Sequence, residues 1–277
     1  MSIDRQTIGV VGYGIVGQAV ASGFQPDYFI SIYDPPKGYT DLDKFVKESD
    51  VFFVCVPTPM PNHLGGPPDL KCIEGVVDML VKKLIHLNKT IVVKSTIPPG
   101  TMDRFAIKYP NFKFVFNPEF LTEKNFIQDF ASQDRIVLAS NVGKTAFDIG
   151  TLYRTRFPET PIIYCGFREA EIAKYASNCF LASKVAFFNE ISRICRVFDA
   201  NYENVRDIVV KDSRIGESHT TVPGTDGQYG FGGKCFPKDL NALIYAAKDK
   251  GYDAKLLKQI WEDNLTCRED YDWKVFV

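Results

Sequence analysis

The sequence predicts an α/β fold. An N-terminal doubly wound sheet, residues 1–165, is followed by a long helix and a small all-helical domain, residues 166–277. Three observations predict it. Short β-branched runs alternate with amphipathic segments from residue 7 to about residue 165. A stretch without Gly or Pro then extends from Arg168 to Phe198. After it the chain reads as further helices separated by one long loop.

The runs that read as strands are "TIGVVG", "FISIYD", "VFFVCV", "TIVVKS", "FKFVFN" and "RIVLAS". They are continuously apolar rather than alternating, which marks strands covered on both faces and therefore a mostly parallel sheet. Between them lie segments such as "DLKCIEGVVDMLVKKL", with apolar residues at three-to-four spacing. Directly after the first run, "GVVGYGIVGQAVA" sets Gly12, Gly14 and Gly17 at the spacing of a Rossmann-like dinucleotide fingerprint. That spacing serves a tight turn, close approach to a pyrophosphate and close helix–strand packing. The turn Gly12–Tyr13–Gly14–Ile15–Val16–Gly17 would present free N–H groups of a helix N-terminus to phosphate. Asp34 closes the second run, where a carboxylate binds ribose hydroxyls and repels a 2′-phosphate, so NAD is expected rather than NADP. Lys37 is a neighbouring charge of opposite sign. The same glycines would also suit a turn in a nucleotide-free α/β domain; the sheet context and Asp34 favour the dinucleotide.

Composition narrows the function classes. Of 277 residues 45% are hydrophobic and 24% charged, with a formal net charge of −1, as in ordinary globular chains. No lysine-rich stripe or like-charge run points to nucleic acid or a membrane surface. No apolar run approaches the ~18 residues of a spanning helix. The N-terminus enters a strand-like run almost at once, leaving no room for a signal peptide, and a cytoplasmic protein is expected. Seven cysteines without a C-x-x-C pair, and His63, His86 and His219 far apart, argue against a disulfide framework and against a metal site.

The stretch from Arg168 to Phe198 would form a helix of roughly 45 Å. Glu169 and Glu171 in its first turn suit the positive end of the helix dipole. Its middle, "CFLASKVAFF", is apolar on most sides, as in a helix buried in a core or an oligomer interface. Lys174 and Asn178, four apart, share one face, where a lysine and an amide need a polar partner. Two readings stay open for them: a functional pair, or a lysine that snorkels to solvent beside a locally bonded amide. A short helix at "ANYENVRDIVV" precedes the long loop, which ends in "GQYGFGGKCFPKDL". Cys235 closes that glycine-rich turn beside Lys234, and Asp239 follows on a helix starting near Pro237. A lone cysteine is most simply a small buried hydrophobe; beside a cation it can instead be an exposed nucleophile.

Taken in order, "GYGIVG", "VPTPMP…GGPPDL", "VVKSTIPPGT", "NPEFLTE", "DF…QDRIVLAS", "EAEIAKYASNCFLASKVAFFNE", "DSRIG", "VPG" and "GFGGKCFPKD" resemble the UDP-glucose/GDP-mannose dehydrogenase family along almost the whole chain. The resemblance implies NAD-dependent oxidation of the C6 alcohol of a nucleotide sugar, UDP-glucose first, in two steps to a uronic acid. It makes Cys235 the nucleophile that carries the second oxidation through a thiohemiacetal and a thioester. Lys174 and Asn178 would stabilise oxygen charge, and Asp239 would position water or Lys174. Glu119 and Glu123 would contact substrate and assist thioester hydrolysis. Thr96 would bind a water near the nicotinamide, with Val56, Pro57, Thr58 and Ser95 also on the cofactor. Phe120, Leu121, Phe231 and Gly232 would line the substrate. Arg214 matches an arginine at the substrate site near the subunit boundary, and the long helix would build a homodimer. Members are typically longer and end in a second Rossmann-like domain that binds the nucleotide diphosphate. This sequence ends at Val277 and is shorter after Asp34, so the resemblance implies a chain without that domain. The 6-phosphogluconate and β-hydroxyacid dehydrogenases share the glycine start and a K-x-x-x-N helix. They transfer one hydride and need no cysteine. An inactive NAD- or sugar-nucleotide-binding module is the third alternative.

Overall fold

A computed structural model describes residues 5–59 and 66–273. His63 and part of the "VPTPMP…GGPPDL" motif lie outside the described residues. Chain contacts define two compact units: residues 1–58 with 69–174, and residues 59–68 with 175–277.

The first unit is built on seven strands: β1 (Thr7–Val11), β2 (Phe29–Tyr33), β3 (Val51–Val54), β4 (Thr90–Val93), β5 (Lys113–Phe116), β6 (Ile136–Ser140) and β7 (Ile162–Cys165). Their order in the sheet is β2-β1-β3-β4-β5-β6-β7. All neighbours are parallel except β5 and β6. Strand β7 has no counterpart among the runs read as strands above. It is a four-residue edge strand with Ile163 exposed, too short and too open to stand out as an apolar run.

Helices cover both faces because successive strand side chains point opposite ways. On one face Ile8, Val10, Phe53, Val92, Val115 and Leu138 pack against α1 (Ile15–Phe24), α5 (Phe126–Ala131) and α6 (Gly143–Arg156). On the other, Phe52, Val54, Ile91, Val93, Phe114 and Phe116 meet α2 (Leu42–Glu48), α3 (Lys71–Leu84) and α4 (Thr101–Lys108). The long helix α7 (Phe167–Val197) begins in this core through Phe167 and Ala170.

Glu171 does not serve the dipole of its own helix. Its carboxylate accepts the Gly100 and Met102 N–H groups, at 2.6 and 2.8 Å, and so caps α4. Burial pushes this carboxyl up to about 7, against the pull of those two N–H groups. The folded state then holds the Glu171 proton more tightly than the unfolded chain does. That contribution to stability is complete below the unfolded value and is lost as pH rises through about 7. Thermal melting of the wild-type chain should therefore drop between about pH 5 and about pH 8 more steeply than that of Glu171→Gln. Parallel slopes in scanning calorimetry would remove this assignment.

The second unit is helical. It contains the rest of α7, then α8 (Tyr202–Val209), α9 (Phe236–Asp249) and α10 (Lys255–Cys267). Cys179, Ala182, Phe231, Leu240, Ile260, Trp261 and Trp273 form its core. Between α8 and α9 the chain makes turns without a helix or strand.

Candidate active site

In the first unit, the residues singled out from the sequence follow the carboxyl ends of β1 to β5, the edge where open parallel sheets bind ligands. The strand order reverses at β1, which lies between β2 and β3. Gly12 leaves β1 with φ +85°, and a Cβ there would sit 2.9 Å from the Cys55 carbonyl oxygen. A Cβ on Gly17 would fall 2.0 Å from the Gly12 carbonyl oxygen, which is the close helix–turn packing that this position requires. Gly14 differs: nothing lies within 4 Å of an added Cβ. It is the N-cap of α1, makes no side-chain cap and is followed by no acidic residue in the first turn. The start of α1 thus offers open space and uncapped N–H groups, which fits a pyrophosphate.

Asp34, directly after β2, accepts the Tyr13 N–H at 2.7 Å. Lys37 donates to the Tyr13 carbonyl at 2.5 Å and lies over the Tyr13 ring. The two charges therefore hold the glycine turn from opposite sides, and Lys37 is engaged with the protein itself. The segments after β3 and β4 are tied together: Ser95 Oγ donates to the Val56 carbonyl and Thr58 Oγ1 to the Thr96 carbonyl, both at 2.7 Å. These bonds fix Val56, Pro57, Thr58, Ser95 and Thr96 beside the glycine turn's strand.

After β5 comes Glu119, whose carboxylate pairs with Lys174 at 2.9 Å, the lysine being only 3% exposed. Leu121 N–H donates to the same carboxylate at 2.7 Å. Burial pushes the Glu119 carboxyl up, but the Lys174 charge, the Leu121 N–H and the Lys94 charge outweigh it and hold the group below its ordinary value. A carboxylate held this firmly is a weak proton acceptor and a strong anchor for Lys174. The Phe120 ring lies under both Lys174 and Arg135. Glu123 is exposed on the turn that follows. No helix spans Glu119 to Glu123, so their spacing of four does not place them on one face.

Sequence reading missed Lys94, the residue after β4. It is buried, and its ammonium donates to Asn117 Oδ1 at 2.9 Å and to the Asn117 carbonyl at 3.2 Å. Tyr153 donates to the same Oδ1, and Asn117 Nδ2 donates to the Val137 carbonyl at 2.9 Å. Burial lowers Lys94 to about 8, with Cys55 and Glu119 acting against it and Lys174 with it. The available signal was a lysine ending the apolar run "TIVVK".

In the second unit, Asp239 is 1% exposed and has both oxygens engaged. Asn178 donates to Oδ2 at 2.5 Å, and Lys238 pairs with Oδ1. Lys238 is a partner that sequence reading did not identify. Cys235 is exposed and is the N-cap of α9, with Asp239 one turn along that helix. Phe231 is buried against Phe236 and Trp261, and Gly232 lies in the turn between Phe231 and Cys235. Arg214 is exposed and forms a fork with Asp212 at 2.5 to 3.2 Å. Among the described residues no helix is long and apolar enough to cross a membrane.

The family model for the NAD-binding domain of the UDP-glucose/GDP-mannose dehydrogenases matches residues 37–156, and that for the central domain matches residues 168–266. The chain belongs to this family. Its first unit carries the family's NAD-binding domain, and NAD is its cofactor. The UDP-glucose 6-dehydrogenase of Bacillus subtilis is 36% identical over 233 residues, covering 81% of this chain and 48% of the relative. The chain spans about half the length of the curated relatives it matches. A UDP-glucose dehydrogenase from Pyrobaculum islandicum superposes with a TM-score of 0.82 at 27% identity, covering 96% of this chain and 69% of that one. The fold is also that of the 3-hydroxyisobutyrate dehydrogenase of Mycobacterium tuberculosis, with a TM-score of 0.72 at 16% identity and 98% of each chain covered. That likeness concerns the fold alone.

Proposed function

We propose that the chain oxidises the C6 alcohol of a nucleotide sugar, UDP-glucose first, to the carboxylate in two NAD-dependent steps with Cys235 as nucleophile. The observation that carries this reading is the placement of Cys235: exposed, directly after a glycine turn, at the N-cap of a 14-residue helix. A helix N-terminus favours a thiolate, the reactive form of the side chain. When bound, NAD supplies hydride acceptance, once per oxidation. Lys174, anchored by Glu119, stabilises negative charge on the alcohol oxygen as its proton passes to a water molecule. The thiolate adds to the aldehyde carbon, forming a C–S bond while the oxygen takes a proton. Lys174 and the second amide hydrogen of Asn178 stabilise the oxygen of this tetrahedral carbon. After the second oxidation the carbon is a thioester. Water adds to its carbonyl, the C–S bond breaks, and thiolate leaves as the uronate forms. The Glu119 geometry favours an anchoring role over the general-base role that the family resemblance implies.

Counting NADH per molecule of UDP-glucose at saturating sugar tests the reading, with GDP-mannose as comparison. Two supports it; one would favour the β-hydroxyacid type of chemistry, and none a binding module. The cofactor site has its own test. Gly14→Ala fills open space without touching the fold, so melting should hold while NAD affinity falls about 10–100-fold, the loss of one or two charge-assisted bonds. Unchanged affinity by calorimetry would move the pyrophosphate elsewhere, and NADP binding as tight as NAD would end the role given to Asp34.

Ile172, Phe180, Phe187 and Ile194 stand exposed at nearly heptad spacing along α7, Phe180 and Phe187 at 68% and 57%. We assign this stripe to a second copy of the chain in a homodimer. Phe187→Glu should give a monomer in light scattering, and a monomeric wild type would remove the dimer. None of the seven cysteines forms a disulfide, which suits a reducing, cytoplasmic setting.

A further inference from the structure

The backbone of the glycine turn before Cys235 is held by polar side chains, most of them buried. Asn264 on α10 donates to the Phe231 carbonyl at 3.0 Å and accepts the Phe231 N–H at 2.7 Å, pairing with it as a neighbouring strand would. Asn189 on α7 accepts the Gly230 N–H at 3.0 Å. Asp272 accepts the Gly233 N–H at 3.0 and 3.1 Å. Arg268, one turn beyond Asn264, donates to Asp226 at 2.8 Å and pairs with Asp272 at 3.2 Å. Asn189, Asn264 and Arg268 are all buried.

Two of the glycines are explained by this network. A Cβ on Gly230 would lie 2.3 Å from Asn264 Oδ1, and one on Gly232 would lie 2.2 Å from Arg268 Nη2. Gly230, at φ +69°, also needs the left-handed backbone that glycine supplies. These two glycines therefore admit the amide and the guanidinium. Gly227 and Gly233 have open space where a Cβ would be. Burying a guanidinium and two amides is a costly way to hold a loop that apolar side chains could pack. What the arrangement supplies is a fixed backbone for the residues immediately before the nucleophile.

We propose that Asn264 and Arg268 are positioning residues that hold the Asp226–Gly233 turn so that Cys235 captures the aldehyde before it escapes. This rests on the thioester reading above. The first oxidation does not use the thiol, so loosening the turn should divide the two steps. A misplacement of about 1 Å can cost about 10²-fold in a positioned reaction. In Asn264→Ala and Arg268→Met, uronate formation should fall about 10–100-fold. The first NADH should form at close to the wild-type rate, and NADH per sugar should fall from two toward one. Free aldehyde should then be captured by a hydrazide reagent. Arg268→Lys keeps the charge but loses the fork, and Asn264→Asp keeps the acceptor but loses the donor; each should recover part of the ratio. If the alanine variant does not fold, the aspartate variant carries the test.

A second readout needs no turnover. Alkylation by iodoacetamide, followed at Cys235 by mass spectrometry of its peptide because Cys72 is exposed as well, should slow in both variants as the thiol leaves its place at the helix start. Uronate formed at the wild-type rate, or both oxidations slowed equally, would overturn the proposal. If the wild-type chain makes no NADH, or Cys235→Ser still makes two per sugar, it is the thioester reading that fails. Alkylation then decides the positioning claim alone, and unchanged rates overturn it.

Discussion

Replacing Cys235 with serine should leave NAD binding unchanged and abolish formation of the uronic acid. The proposed second oxidation begins with a sulfur anion attacking a carbonyl carbon, and a serine hydroxyl at neutral pH is almost never ionised. An oxygen ester would also hydrolyse less readily than the thioester. The position makes this variant unusually informative. Cys235 is an exposed residue at the start of α9, with helical φ and ψ of −99° and −61°. Serine takes that backbone and fills less space, so the variant should melt within about 0.5 kcal/mol of wild type. Loss of activity could then not be ascribed to loss of fold. Acid quenching of the wild-type chain during turnover with NAD and UDP-glucose should show, by intact mass, a sugar adduct on Cys235 that the serine variant lacks. Two NADH per sugar from the serine variant at the wild-type rate would refute the mechanism.

The strands and the long helix were legible because each is a local pattern. Phe52, Phe53 and Val54 are buried on both faces of β3, which is what an unbroken apolar run records. Residues 168 to 198 contain neither Gly nor Pro, and α7 ends within one residue of that stretch at each end. Partners distant in sequence were not legible. Lys94 depends on Asn117, 23 residues away, and through it on Tyr153, so the apolar run it ends hints at burial but not at what its ammonium bonds. Asn264 and Arg268 stand at the end of α10, and their partners Phe231 and Asp226 lie 33 and 42 residues away. Glu171 was legible as an acid near a helix start, but the start it caps belongs to α4. Lys174 and Asn178 are helical as the spacing implied, but they bond different partners, Glu119 and Asp239.

Replacing Lys174 with methionine should slow both oxidations, each by about 10²–10³-fold, the usual effect of removing one charge stabiliser from a transition state. The structural consequence has to be separated from the chemical one. Lys174 is 3% exposed and its partner Glu119 is largely buried, so the single variant leaves a buried carboxylate without its nearest cation. Breaking a buried pair from one side costs about 3–5 kcal/mol in typical cases, and Lys94 compensates for part of that here. The Lys174 charge is the largest influence holding Glu119 below its ordinary value, so its loss raises the Glu119 carboxyl. In the wild type this depressed carboxyl gives up stability as pH falls through its folded value, and with the carboxyl raised the variant has less of that stability to lose. Lys174→Met with Glu119→Gln replaces the ion pair by two neutral side chains of similar shape. This double variant should recover most of the thermal stability, show no such pH dependence and remain as slow as the single one. If it recovered activity together with stability, the role of Lys174 would be structural. If the single variant lost only the second NADH, the oxygen stabilised by Lys174 would be that of the tetrahedral carbon on Cys235 and not that of the alcohol.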